Sequence, residues 1–178
     1  MSGLANRGKG LESALDMLHQ VYEAQRKASV IRSPTNYKVI RPGVKSPELV
    51  VVPDALSAPD YHIQAQGRSL LLDAKECHAT RWQLSHLPEH QADRFTRHER
   101  QGGCAFVLLQ FVGKTFLLPW NECPGKVTLH SMWTAWQLDL AKRGRASLTP
   151  EDCAVVGYPL TSIDYLAVAL LHARTKLI

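Results

Sequence analysis

Apolar and polar residues alternate along the chain with two different periods. In residues 10–26, Leu11, Leu15, Leu18 and Tyr22 recur at four- and three-residue steps, with Glu12, Asp16 and Glu23 off the stripe. That period predicts an amphipathic helix. Residues 28–32 and 37–41 read as short strands around a Ser33-Pro34-Thr35-Asn36 turn. Residues 41–60 then hold four prolines, which no continuous helix or central strand accommodates. A long excursion from the domain body is expected over 42–59, and loops of that length are usually functional or disordered.

The second half is more regular. Residues 60–66 and 69–75 read as a hairpin around Gly67-Arg68, a two-residue turn of type II′ with glycine first. Residues 88–101 read as a helix with Pro88 near its first turn and Gly102-Gly103 ending it. The run CAFVLLQF, 104–111, is a continuous apolar strand, expected to be central, and 114–120 pairs with it across Val112-Gly113. Helices are expected over 129–143 and 162–174, joined by a polar, proline-bearing link. There are no internal repeats. Helix, strands, helix, strands, helices in that order predict a mixed α/β fold.

Composition narrows the class. A chain of 178 residues that is 45% hydrophobic can bury one domain core. It has no apolar run of about 18 residues, so no transmembrane helix is expected. MSGLANRGKG lacks the apolar stretch of a signal peptide, and a cytoplasmic location is expected. Cys77, Cys104, Cys123 and Cys153 form no CxxC pair, against both a zinc ribbon and a disulfide framework. Cys77 with His78, His86 and His90 matches no tetrahedral spacing. Lysine and arginine outnumber acids 21 to 16, a modest bias toward polyanionic partners.

The chemistry concentrates in the hairpin. LLLDAKE ends an apolar strand in an acid-x-lysine triplet. Side chains alternate faces in a strand, so Asp73 and Lys75 share one face while Leu70, Leu72 and Ala74 share the other. With Gly67-Arg68 as the turn, residue 60 falls opposite 75, and Asp60 joins the face of Asp73 and Lys75. Opposite and diagonal partners lie within about 5–8 Å. Two carboxylates at that distance can share a hard divalent cation, and the lysine can orient an attacking water or offset charge on a phosphorane. An exposed salt-bridge cluster has the same composition and is worth only about 0–1 kcal/mol per pair.

The arrangement resembles the RecU family of Holliday junction resolvases, within the PD-(D/E)XK nuclease superfamily. NRGKGLE resembles the family's basic arm leading to a helical glutamate. PDYH resembles the start of its first catalytic strand, and LLLDAKE the second. HQADRF followed by GGCAFVLLQF resembles its His-Gln helix, glycine pair and core strand. The likeness spans about residues 6–120, and residues 121–178 match no motif. It implies a restriction-endonuclease-like mixed central sheet flanked by helices, with 42–59 as a projecting stalk and 121–178 as a C-terminal helical extension of one nuclease domain.

The resemblance also implies roles. Asp60, Asp73 and the Ala74 carbonyl would hold Mg2+ (or Mn2+), Lys75 would be the catalytic lysine, Gln91 would stand beside the metal, and Glu12 would complete the site. Asp73 departs from the family's frequent glutamate. DNA would meet Arg7 and Lys9 on a flexible arm of residues 1–9, Lys45 on the stalk, and Arg94, Arg97 and Arg100 at three-residue spacing after Gln91. The substrate would be a four-way DNA junction, cut by a symmetric homodimer. A nuclease acting on duplex or DNA ends is the main alternative. A non-catalytic DNA-binding module is a further one, opposed by the intact set of acids.

Overall fold

A computed structural model of the chain describes residues 9–34, 37–40, 50–53, 58–120, 127–138 and 146–175; of residues 9, 37–40 and 50–53 only the backbone is described. The helix α1 spans Lys9–Ala24, so Lys9 opens the helix instead of ending a flexible arm. Leu11, Leu15 and Tyr22 are buried from its apolar stripe, and His19 joins them. The strands β1 (Ser29–Arg32), β2 (Tyr37–Ile40), β3 (Val50–Pro53), β4 (Tyr61–Ala65) and β5 (Arg68–Cys77) follow. After the short β6 (Trp82–Gln83) come α2 (Glu89–Arg100), β7 (Cys104–Phe111) and β8 (Lys114–Pro119). The chain continues through α3 (Leu129–Leu138), β9 (Ser147–Leu148), α4 (Pro150–Val156), β10 (Tyr158–Leu160) and α5 (Leu166–Thr175).

Six strands form one mixed sheet in the order β1-β4-β5-β7-β8-β10. Only β5 and β7 are parallel, with Asp73 beside Val107 and Lys75 beside Leu109. Parallel neighbours need a crossover, and α2 supplies it. The sheet separates two cores. On one face Leu11, Leu15 and Tyr22 of α1 and Leu166, Ala169 and Ala173 of α5 pack on Ile63, Leu70, Leu72 and Phe106. On the other, Phe95 of α2, Trp133 of α3 and Cys153 of α4 pack on Ala105, Val107 and Leu109. This is the mixed central sheet flanked by helices that the element order predicts. Trp133 is buried and donates its ring N–H to the Leu87 carbonyl at 3.0 Å, a core role. Cys77, Cys104 and Cys153 are buried.

Three expectations need correction. The turn of the β4–β5 hairpin is Gln66-Gly67, not Gly67-Arg68, because Ala65 pairs with Arg68. Both turn residues have positive φ, 49° and 72°, the signature of type I′. The excursion is not strand-free either. Val50–Pro53 pairs antiparallel with Tyr37–Ile40 in a two-stranded sheet apart from the central one. The β-branched Val50-Val51-Val52 run supplies the strand, and Pro53 falls at its last residue. Finally, residues 121–178 are not a purely helical extension. The proline-bearing link contains α4 and β10, and β10 pairs with β8 as an edge strand. Pro159 is tolerated there because an edge strand has one side without a ladder partner.

Candidate active site at the open end of β5

The site lies where β5 outlasts its neighbour. β4 pairs with β5 from Ala65↔Arg68 up to Tyr61↔Leu72 and no further. Beyond Leu72, β5 keeps β7 on one side only, from Asp73 to Cys77. Asp60 immediately precedes β4, and the observed register carried one step on sets it level with Asp73. The one-residue shift of the turn therefore moved every pairing by two positions. A shift of two preserves the face on which each side chain stands, so Asp60, Asp73 and Lys75 still share a face, the one covered by α2.

The vacated edge of β5 is taken by a side chain. The Ala74 N–H donates to Asp60 Oδ2 at 2.7 Å, replacing the ladder bond that β4 no longer provides. A residue's N–H and C=O leave an antiparallel ladder on the same side, so the Ala74 carbonyl is directed to that edge as well. Asp60 is further held by its own backbone, whose carbonyl accepts from Ser33 N–H at 2.8 Å.

Asp73 is completely buried. Its Oδ2 lies 2.7 Å from Lys75 Nζ, while Oδ1 is buried without a hydrogen-bond partner. Lys75 Nζ also lies 3.5 Å from Gln91 Oε1, and Gln91 is buried near the start of α2. The electrostatics follow from this crowding. Burial, and then the Asp73 charge, push the Asp60 carboxyl up to about 7, against the opposing pull of Lys75 and the Ala74 hydrogen bond. For Lys75, burial disfavours the ammonium, but Asp73, Asp60 and Glu12 outweigh it and hold the group above its ordinary value. Lys75 is therefore charged.

The donor set fits a divalent cation. The Asp60 and Asp73 carboxylates, the latter with an orphaned buried oxygen, and a carbonyl on an unpaired edge are hard oxygen ligands. Mg2+ is commonly held by one or two carboxylates, with water and substrate phosphate filling the rest. No cluster of three or more His, Cys, Asp or Glu able to hold a metal occurs among the described residues. Glu12 is near enough for its charge to act on Asp60 and Lys75, yet its carboxylate is paired with Arg32. Arg32 pairs at the same time with Asp16. Sequence reasoning missed this cation: a basic residue at the end of a short strand gives no signal until α1 is laid beside it.

The DNA-binding candidates are spread more widely. Arg7 and Lys45 lie outside the described residues. α2 runs antiparallel to β5, since Gln91 reaches Lys75 at one end and a ring nitrogen of His98 lies 3.1 Å from the Ser69 carbonyl at the other. Arg94, Arg97 and Arg100 are exposed. At about 1.5 Å per residue, Arg94 is roughly one turn from Gln91 and Arg100 more than two. Arg97 lies 4.0 Å from Asp93, and Arg100 borders a cleft of 260 Å³ with Arg68 and Ser69.

Comparison with known proteins places this chain in a family. The Holliday junction resolvase RecU of Bacillus pumilus is 27% identical over 177 residues, covering 94% of this chain and 82% of that protein. That of Limosilactobacillus fermentum is 31% identical over 131 residues, covering 68% of this chain and 61% of its own length. Among solved structures, the Holliday junction resolvase Hjc of Archaeoglobus fulgidus aligns over 90% of this chain and 98% of its own at 13% identity and a TM-score of 0.45. The family model for RecU, "Recombination protein U", matches residues 6–167, so the likeness runs well past residue 120, where recognisable motifs end. With that match across most of its length, the chain belongs to the Recombination protein U family.

Proposed function

We infer that this chain is an endodeoxyribonuclease that resolves four-way DNA junctions by phosphodiester hydrolysis at Asp60, Asp73 and Lys75. The observation that carries the reading is the meeting of two carboxylates and a charged lysine at the open end of β5. Family membership and the names of its relatives support the substrate. Asp60, Asp73 and the Ala74 carbonyl would hold Mg2+ or Mn2+, which when bound supplies charge to a phosphate oxygen and acidifies a water. Lys75, charged already, has no free base to offer. Its part is to hold Asp73 in place and to offset negative charge that builds up on the phosphorus oxygens. Gln91 fixes the ammonium from the helix side. Glu12, its carboxylate engaged by Arg32, is not among the proposed ligands.

Four-way branched DNA, a symmetric homodimer and a cytoplasmic setting complete the proposal. The described residues include no helix long and apolar enough to cross a membrane. Hydrolysis needs only a phosphodiester, so selectivity must come from shape. The β2–β3 pair, separate from the central sheet and leading into Asp60, is the segment proposed to reach the junction. Cleavage of a mobile four-way junction beside a linear duplex of equal sequence tests the reading. Paired cuts in the junction with the duplex intact are expected. Equal cutting of both would make this a duplex nuclease, and binding without cutting would make it a DNA-binding module.

A further inference from the structure

Arg32 is the last residue of β1 and pairs with Tyr61, the neighbour of Asp60. One guanidinium nitrogen, Nη2, contacts Glu12 Oε2 and the other, Nη1, contacts Asp16 Oδ2. The guanidinium carbon lies 5.9 Å from the centre of the Tyr61 ring. The same tyrosine donates its hydroxyl to the second oxygen of Asp16 at 2.8 Å. Glu12 and Asp16 are one helical turn apart, where like charges repel, and Arg32 is the cation between them. Its side chain is 50% exposed, and those of Glu12 and Asp16 are 35% and 33% exposed. The bridge is accessible and exchangeable, unlike the buried Lys75–Asp73 pair.

Glu12 is held beside the site, since Tyr61, the residue after Asp60, donates its hydroxyl to the Glu12 carbonyl at 3.3 Å, but no three acids converge among the described residues. We propose that Arg32 is a positioning residue that competes with the divalent cation for Glu12, holding this third carboxylate back so that the resting site takes its cation on Asp60 and Asp73. The proposal rests on the two-acid reading above. A guanidinium suits the task because its fork engages both carboxylates at once, which a lysine cannot do.

The test is a calorimetric titration of Mn2+ into the metal-free protein, without DNA. Arg32→Gln is expected to bind Mn2+ about tenfold more tightly than wild type, the scale on which residues neighbouring a metal site act. That gain should vanish in the Arg32→Gln, Glu12→Gln double variant and be partial in Arg32→Lys. Equal affinity in wild type and Arg32→Gln overturns the inference and reduces Arg32 to a tie between β1 and α1. Should Arg32→Gln fail to fold, Glu12→Gln alone decides. Wild-type affinity is expected, because Arg32 already withholds the carboxylate, and a loss of tenfold or more would make Glu12 a resting ligand and overturn the inference. The two readings fail differently. Mn2+ uptake that survives Asp73→Asn, or no uptake by wild type, removes the two-acid site itself and the inference with it.

Discussion

The two halves of β5 have the same backbone and different neighbours. From Arg68 to Leu72 the strand is paired on both sides, by β4 and by β7 from Leu70 onward. From Asp73 to Cys77 it is paired on one. In the first half main-chain groups satisfy one another, and the side chains pack or, at Ser69, hydrogen-bond to His62 and Gln64 across the hairpin. In the second half the free edge takes a carboxylate, Asp60, onto the Ala74 N–H, and a buried acid and a partly buried lysine stand one residue to either side of it. A central strand that loses one neighbour offers unpaired backbone polar groups along its free edge. That is how a sheet built for stability comes to hold charges.

Lys75→Ala strikes the open half hardest. It removes the charge that offsets Asp73 and the phosphate, and kcat on a junction is expected to fall about 10²–10³-fold while Mn2+ is still bound. Unchanged turnover would make the lysine a structural counter-ion.

Asp60→Asn tests the crowding directly. The Asp60 carboxyl sits at about 7 against an ordinary 3.8. A group held above its unfolded value stabilises the fold fully below that value and loses the contribution as pH rises through the folded one. Metal-free wild type should therefore lose stability between about pH 4 and 7, and the asparagine variant should not. Its melting temperature is expected to exceed wild type at pH 8 by several degrees, at about 2–4 °C per kcal/mol, with the gap closing toward pH 4. A constant gap would mean that neither burial nor the Asp73 charge raises the Asp60 carboxyl. The same proton should be released when Mg2+ binds below pH 7 and not above it.

At the paired half, Gly67→Ala touches nothing: an added Cβ has no neighbour within 4 Å, and only its φ of +72° is unfavourable. A cost of about 1–2 kcal/mol is expected, with kcat unchanged. A loss of turnover would show that register at the turn is felt at the acids. The smallest effects belong to α2, which spans both halves. Neutralising Arg94, Arg97 and Arg100 should flatten the salt dependence of junction binding, by about 0.9 in log–log slope per lost phosphate contact. Arg94, over the open half, should account for more of it than Arg100. An unaltered slope would leave the stripe as solvated surface.

Much of this was legible from alternation alone. The faces of Asp60, Asp73 and Lys75 depend only on odd and even spacing, so they survived a turn placed one residue too late. The long strand 104–111 and the helix after Pro88 were plain from composition. Less legible was anything set by a distant partner. Residues 158–160 read as part of a polar, proline-bearing link, and only the edge position beside β8 makes Pro159 harmless in a strand. The Val50–Pro53 strand was hidden among prolines. Arg32 meets Glu12 and Asp16 across the approach of α1 to β1, which no local pattern encodes.

Asp73→Asn, assayed for junction binding and Mg2+-dependent cleavage on one sample, tests the central claim most directly. The carboxylate is buried and touches no exposed surface, so its removal takes away a metal ligand and not a DNA contact. Junction affinity in the wild-type range with cleavage reduced to background is the result expected if the open end of β5 is the catalytic centre. Cleavage at the wild-type rate would contradict it and place the chemistry elsewhere in the molecule.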